Sequence, residues 1–321
     1  MILGLDIGGA NTKAASSDGK FAEIVYLPLW RTDLENASLD SVLRRISELE
    51  PEAVAVVMTG ELADCYSSKI AGIESIRSAV KAAFHCPSYF WGVSGFDPQD
   101  PMDLAGANWS ASAQLIAKDI GSCIFADMGS TTTDLIPIKE KSLAETTDFK
   151  RLINGELIYM GMLRTSLSSI LHAARIQGNS VPLSPELFAI TADAYLALGE
   201  IAREDYGCDT PDGAEKSRDA SLRRLARDVC ADLEEIGEAG AFAIAEQVQD
   251  RQQRLLMNAI QRQAKKHQLK SVVAAGIGEW IIARAAISLG MSCIRLSERY
   301  GKNISDIFPA YAVARLLAEK L

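Results

Sequence analysis

Two short segments carry the same pattern of chemically useful side chains. Asp6-Ile7-Gly8-Gly9-Ala10-Asn11-Thr12 and Asp127-Met128-Gly129-Ser130-Thr131-Thr132-Thr133 each place a carboxylate just ahead of a turn rich in glycine, hydroxyl or amide groups. Gly8, Gly9 and Gly129 let the backbone bend sharply and approach a ligand with no Cβ in between. Successive N–H groups in such a bend form a concave anion site. Asn11, Thr12, Ser130, Thr131 and Thr132 add neutral donors, and Lys13 adds a cation suited to phosphate. Two carboxylates beside a polyphosphate repel it unless a hard cation lies between them. Asp6 and Asp127 therefore read as ligands of Mg²⁺, which retains waters of its own. One such hairpin alone reads as an ordinary turn; two in matched register read as a polyphosphate site.

Strand ends must present these turns. Residues 2–5 and 123–126 are apolar runs leading into the two aspartates, and residues 12–15 and 133–138 read as return strands. Two half-chains opening with the same hairpin predict two related α/β domains that face one another. Residues 53–58 (Ala-Val-Ala-Val-Val-Met) and 271–275 (Ser-Val-Val-Ala-Ala) read as further buried strands. A helical pattern runs from near Gly60 to about Phe84, another over residues 108–117, and a closing helix over residues 309–321. Residues 186–266 are helix-rich with a polar break at 208–213, and the arginines at 218, 223, 224 and 227 read as a solvated helix face.

Composition narrows the function. The chain has 321 residues, 48% hydrophobic, enough for about two domains and a sizeable core, and not for a disordered chain. A formal net charge of −9 argues against a general nucleic-acid binder. The most apolar long stretch, residues 272–290, is broken by Glu279 and Arg284, so no membrane span is predicted. The N-terminus reads as a strand rather than a signal peptide. The six cysteines form no C-x-x-C pair and only three histidines exist, which argues against zinc and for a reduced, cytoplasmic protein. Adjacent His85 and Cys86 read as loop and core residues rather than a nucleophile pair.

The repeated turns resemble the first and second phosphate loops of the superfamily containing actin, sugar kinases and the heat-shock chaperone ATPases. Residues 274–278, with Gly276 and Gly278, resemble its glycine-rich adenosine motif, and the closing helix its second connecting helix. A narrower resemblance, to the hydantoinase/oxoprolinase-related branch, lies in residues 4–13, 58–65, 107–109 (Ala-Asn-Trp) and 155–165. Within that branch the chain is most similar to a small stand-alone group found in methanogens and in tetrahydromethanopterin-using bacteria, a likeness strengthened by residues 224–232. The resemblance implies an α/β, two-lobed actin/sugar-kinase-like (ribonuclease H-like, duplicated) fold with an interlobe cleft. Residues 1–120 would form the first lobe and 121–321 the second, with a helix-rich insertion at about 185–268. It also implies methanofuran-pathway chemistry: an aminomethyl-furanmethyl diphosphate joined to the phenol oxygen of γ-glutamyltyramine, or of a tyrosine-like acceptor, with release of diphosphate. Small molecules would then be the partners, and a homodimer stays open.

In physical terms, the loops and Mg²⁺ would stabilise the departing diphosphate while the furan ring delocalises the cation left behind. A phenol ionises at about pH 10, so its attack calls for a carboxylate base. Asp134, Glu61 and Asp64 are candidates: Glu61 and Asp64 share a helix face if a helix begins near Gly60, and Asp134 holds the register of Lys13 in the other repeat. Arg164 would reach the diphosphate or a γ-glutamyl carboxylate. The competing expectation is an ATP-dependent kinase or ATPase of the same superfamily, separated by whether an adenine nucleotide binds at Gly276 and Gly278. A non-catalytic nucleotide switch is a weaker alternative.

Overall fold

The computed structural model describes residues 1–31 and 38–321. The first half of the chain builds a six-stranded sheet from β1 (Ile2–Ile7), β2 (Asn11–Ser16), β3 (Ala22–Tyr26), β4 (Ala53–Met58), β5 (Ser88–Gly92) and β6 (Gly95–Phe96), in the order β3-β2-β1-β4-β5-β6. The second half builds a five-stranded sheet from β7 (Cys123–Met128), β8 (Thr133–Ile138) and β9 (Leu157–Ile158), a separate hairpin β10 (Ala173–Ile176) and β11 (Asn179–Pro182), and then β12 (Ser271–Ala275) and β13 (Ser292–Arg295). Its order is β13-β12-β7-β8-β9. The two sheets share a plan: β1 is antiparallel to β2 and parallel to β4, as β7 is antiparallel to β8 and parallel to β12. Every residue of β4 is buried, which suits a β-branched run covered on both faces.

The helices Asn108–Asp119 and Phe308–Lys320 lie between the sheets. Their apolar faces join Ala15 and Val57 of the first sheet to Phe125, Ile136 and Val273 of the second in one core. Approach is close enough that a Cβ on Gly4 of β1 would collide with the Ala310 carbonyl of the closing helix. Outside the first sheet, Leu43 and Ile46 of the helix Leu39–Ser47, and Ile73 and Ile76 of the helix Lys69–Ala83, cover Leu3, Leu5 and Val56. Outside the second, the helices Glu279–Ser288 and Leu233–His267 cover Ile124, Ala126 and Val272. Burial of this kind contributes roughly 1.5–3 kcal/mol per large apolar side chain. No helix among the described residues is long and apolar enough to cross a membrane.

Two expectations need correction. The helix expected to begin near Gly60 begins at Lys69, where the Ser68 hydroxyl accepts from the Ala71 N–H and caps it. Glu61 and Asp64 therefore sit in an irregular turn and share no helix face. The arginines of the helix Arg218–Arg227 do not form one solvated face. Arg223 and Arg227 are exposed, but Arg224 is wholly buried, its guanidinium 2.8 Å from Asp193 and 3.1 Å from Asp212. Asp193 comes from the helix Thr191–Leu198, so its pairing depends on tertiary packing that spacing does not reveal.

Asp228 lies in the same helical unit, wholly buried, with no hydrogen bond formed to either carboxylate oxygen. Burial, and secondarily the Asp193 charge, pushes its pKa up to about 8. An unfolded aspartate titrates near pH 4 (about 3.9). Between those values the folded chain holds a proton that the unfolded chain has released, so this residue's contribution to stability falls as pH rises. Asp228→Asn is expected to remove that fall. In urea unfolding, its stability relative to the parent should improve by at least about 1 kcal/mol from pH 5 to pH 8.5. A difference independent of pH would contradict the protonated assignment.

Candidate active site

The two turns close alike. The Gly8 N–H donates to the Asn11 carbonyl at 2.9 Å, and the Gly129 N–H to the Thr132 carbonyl at 3.0 Å. In the ladders Asp6 stands opposite Lys13, and Asp127 opposite Asp134. Residues directly opposite in an antiparallel pair project from the same face, so each repeat offers two charged side chains beneath its turn. The turns meet: Asn11 Nδ2 lies 3.4 Å from Ser130 Oγ. The expected arrangement of facing loops is present.

Each turn is backed by a close approach of backbone. Gly60, just after β4, packs on Gly8, and Thr59 and Gly60 both donate to the Ile7 carbonyl. Behind the second turn, a Cβ on Gly161 would lie 2.5 Å from the Ser130 carbonyl and the Thr131 nitrogen. The Met162 N–H donates to Gly129, and those of Leu163 and Arg164 to Ser130. Gly276, at φ +85°, has no room for a Cβ against Asp127, and the Gly278 N–H donates to the Met128 carbonyl at 3.0 Å. The glycine-rich stretch after β12 thus seats against the end of β7.

The electrostatics are dominated by buried carboxylates. Burial raises the Asp6 pKa, opposed by the Lys13 ammonium at 3.7 Å and by Asn108. Burial also pushes Asp127 up to about 7; Lys13 opposes that, while Asp134, Asp6 and Asp306 reinforce it. Asp134 is held by the Arg151 guanidinium, which also binds Asp148 at 3.0 Å and lies 4.5 Å over the Trp109 ring. The charge reversal between Lys13 and Asp134 is matched by this buried arginine from the helix Asp148–Asn154. Arg151 and Asp148 escaped the sequence reading. The signal for them was the unpaired carboxylate that the reversal creates.

Other expected residues are distributed as follows. Glu61 is buried with Oε2 unpartnered, and burial pushes its pKa up to about 6. Asp64 is exposed on the turn. Thr12 is wholly buried with Oγ1 unpartnered; strand alternation turns it away from the face that carries Lys13. Ser130 and Thr131 hydroxyls lie 3.4 Å apart. Arg164 donates to Thr131 Oγ1 at 3.3 Å and stacks 4.6 Å over the ring of Trp30, which is a third residue that sequence reasoning missed.

Among the described residues no group of three or more His, Cys, Asp or Glu side chains gathers as a metal-binding array. A magnesium ion needs less: it takes one or two carboxylates and completes its shell with waters and phosphate oxygens. Asp6, with its buried Oδ1 unpartnered, and Asp127 in the matching position of the second repeat supply two carboxyl groups of the kind a hard cation takes.

Known proteins share sequence and fold with this chain. The chain matches the Hydantoinase/oxoprolinase family over residues 52–320. It is 42% identical, over 100% of its length and 98% of theirs, to the (4-{4-[2-(gamma-L-glutamylamino)ethyl]phenoxymethyl}furan-2-yl)methanamine synthase of Methanocaldococcus jannaschii. A protein of the same name from Methanococcus vannielii is 38% identical over 65% of this chain and 97% of its own. Among solved structures, a ROK family glucokinase from Streptomyces griseus superposes with a TM-score of 0.50 at 12% identity, over 98% of each chain. The two-lobed sugar-kinase-like fold is shared.

Removing Arg151 should be destructive. Arg151→Met leaves Asp134 and Asp148 without their cation, and breaking one side of a buried pair costs about 3–5 kcal/mol. Denaturant unfolding should show that loss, and Asp134→Asn in the same chain should restore part of it. An Arg151→Met chain as stable as the parent would mean the network carries no weight in folding.

Proposed function

The chain belongs to the hydantoinase/oxoprolinase family, and within it we propose that the protein is a transferase joining an aminomethyl-furanmethyl diphosphate to the phenol oxygen of γ-glutamyltyramine, or of a tyrosine-like acceptor. Diphosphate is released, and the product serves a methanofuran-type C1 carrier. The observation that carries the reading is the pair of matched turns meeting at Asn11 and Ser130 over Asp6, Lys13, Asp127 and Asp134. The full-length relative's name supports it, because that name describes a phenoxymethyl-furan ether. Making such an ether from a phenol requires a leaving group on the furfuryl carbon, and the turns suit a diphosphate.

The bond between the furfuryl carbon and the diphosphate oxygen breaks, and its electron pair departs with the diphosphate. The phenol oxygen forms the new bond to that carbon, and its proton passes to a carboxylate. The turn N–H groups, Lys13, Ser130 and Thr131 orient the diphosphate and stabilise its growing charge. Asp6 and Asp127 would hold Mg²⁺, which would supply further neutralisation of the departing oxygens. Of the three carboxylates considered as base, Asp64 faces solvent and Glu61 is enclosed. Asp134, on the cleft face beside Asp127 and steadied by Arg151, takes the role in this reading.

Incubation with the furanmethyl diphosphate, Mg²⁺ and γ-glutamyltyramine or a tyrosine-containing acceptor should give the ether and free diphosphate by mass spectrometry. Asp6→Asn should lose Mg²⁺-dependent diphosphate binding and about 100-fold or more in turnover, with circular dichroism unchanged. Tight Mg²⁺-dependent ATP binding with phosphate release, and no ether, would replace this reading with an ATPase.

A further inference from the structure

The segment that follows β3 ties the two turns together. The Leu27 and Leu29 N–H groups donate to the Ala10 and Gly9 carbonyls of the first turn, at 2.9 and 2.8 Å. From there the segment reaches the second lobe. Tyr26 OH donates to Asp209 at 3.1 Å, Arg31 pairs with the same carboxylate at 2.9 Å, and the Trp30 ring lies under the Arg164 guanidinium. Arg164 in turn touches Thr131 of the second turn.

Arg164 has no countercharge among the described residues. Its guanidinium carries five N–H donors. Among the described residues the only hydrogen bond from its side chain goes to Thr131 Oγ1, and no carboxylate lies within ion-pair reach. Its one strong neighbour is the indole face, 4.6 Å away. An aromatic face attracts and orients a guanidinium without neutralising it, so the cation stays available to an anion. Trp30 is itself partly exposed, at 36%, which places the pair at the rim of the site rather than in the core.

We propose that Trp30 is a positioning residue: its indole holds Arg164 over the second turn as an unneutralised clamp for the diphosphate, and the 27–31 segment couples that clamp to the first turn. The proposal rests on the diphosphate reading above and adds to it the element that assembles the two half-sites. A hydrogen-bonding or ion-pairing partner would hold Arg164 as firmly but would compete with the ligand for its donors. The indole does not.

The test is calorimetric titration of the intact protein with inorganic diphosphate and Mg²⁺, with thermal unfolding as a control. Trp30→Ala and Trp30→Leu should each weaken binding roughly five- to tenfold, while Trp30→Phe, which keeps an aromatic face, should stay within about threefold. Trp30→Leu combined with Arg164→Ala should bind no more weakly than Arg164→Ala alone, as expected for two residues acting as a unit. In turnover assays the KM for the furanmethyl diphosphate should rise in Trp30→Leu while that for the phenolic acceptor holds. Parent-like diphosphate binding by Trp30→Leu, or losses that add in the double variant, would overturn the role of Trp30 and leave the transferase reading standing. A parent chain that does not bind diphosphate at all would overturn the transferase reading itself.

Discussion

The site is governed by the burial of acidic groups gathered where the two lobes meet. Asp6, Asp127 and Asp134 project from neighbouring strand ends; burial raises the proton affinity of Asp6 and of Asp127, and the Asp134 charge adds to it in both. Asp6 is shut away from water and Asp127 and Asp134 are half-buried, and an uncompensated charge in such a setting is costly. Lys13 answers from the first repeat and Arg151 from beneath the second. Each cation meets a carboxylate of its own repeat, and Arg151 also binds Asp148.

The duplicated plan explains why so much of this could be read in advance. β4, β8 and β12 fall on the bounds expected from their apolar runs, because continuous burial leaves little freedom in where such a strand starts or stops. The hairpin register was legible too: the repeat aligns Lys13 with Asp134, and the ladders place each opposite its aspartate. What escaped were contacts made by residues remote in sequence. Arg224 looked solvated among its neighbouring arginines because Asp193, its partner, lies on another helix. Trp30 carried no motif at all, and its contact with Arg164 exists only in the folded chain. The displaced helix start has a more local cause. Ser68 is a good cap, and its hydroxyl accepts from the Ala71 N–H, which sets the helix start at Lys69 rather than near Gly60.

Close backbone approach sets the precision of the site. A phosphate is recognised by N–H groups whose directions are fixed by the turn, so any shift of the turn weakens several hydrogen bonds together. Gly161 and Gly276 each bring a neighbouring segment to a separation that no side chain would permit, one against Ser130 and Thr131, the other against Asp127. Those segments belong to different parts of the second lobe, yet both press on the same strand-turn-strand unit. The turn is therefore held from two sides by main chain, which cannot change rotamer, whereas its hydroxyls can. Rigid amides supported by packed backbone and adjustable hydroxyls on the open side are what a site needs if it must grip a leaving group more tightly as its charge develops.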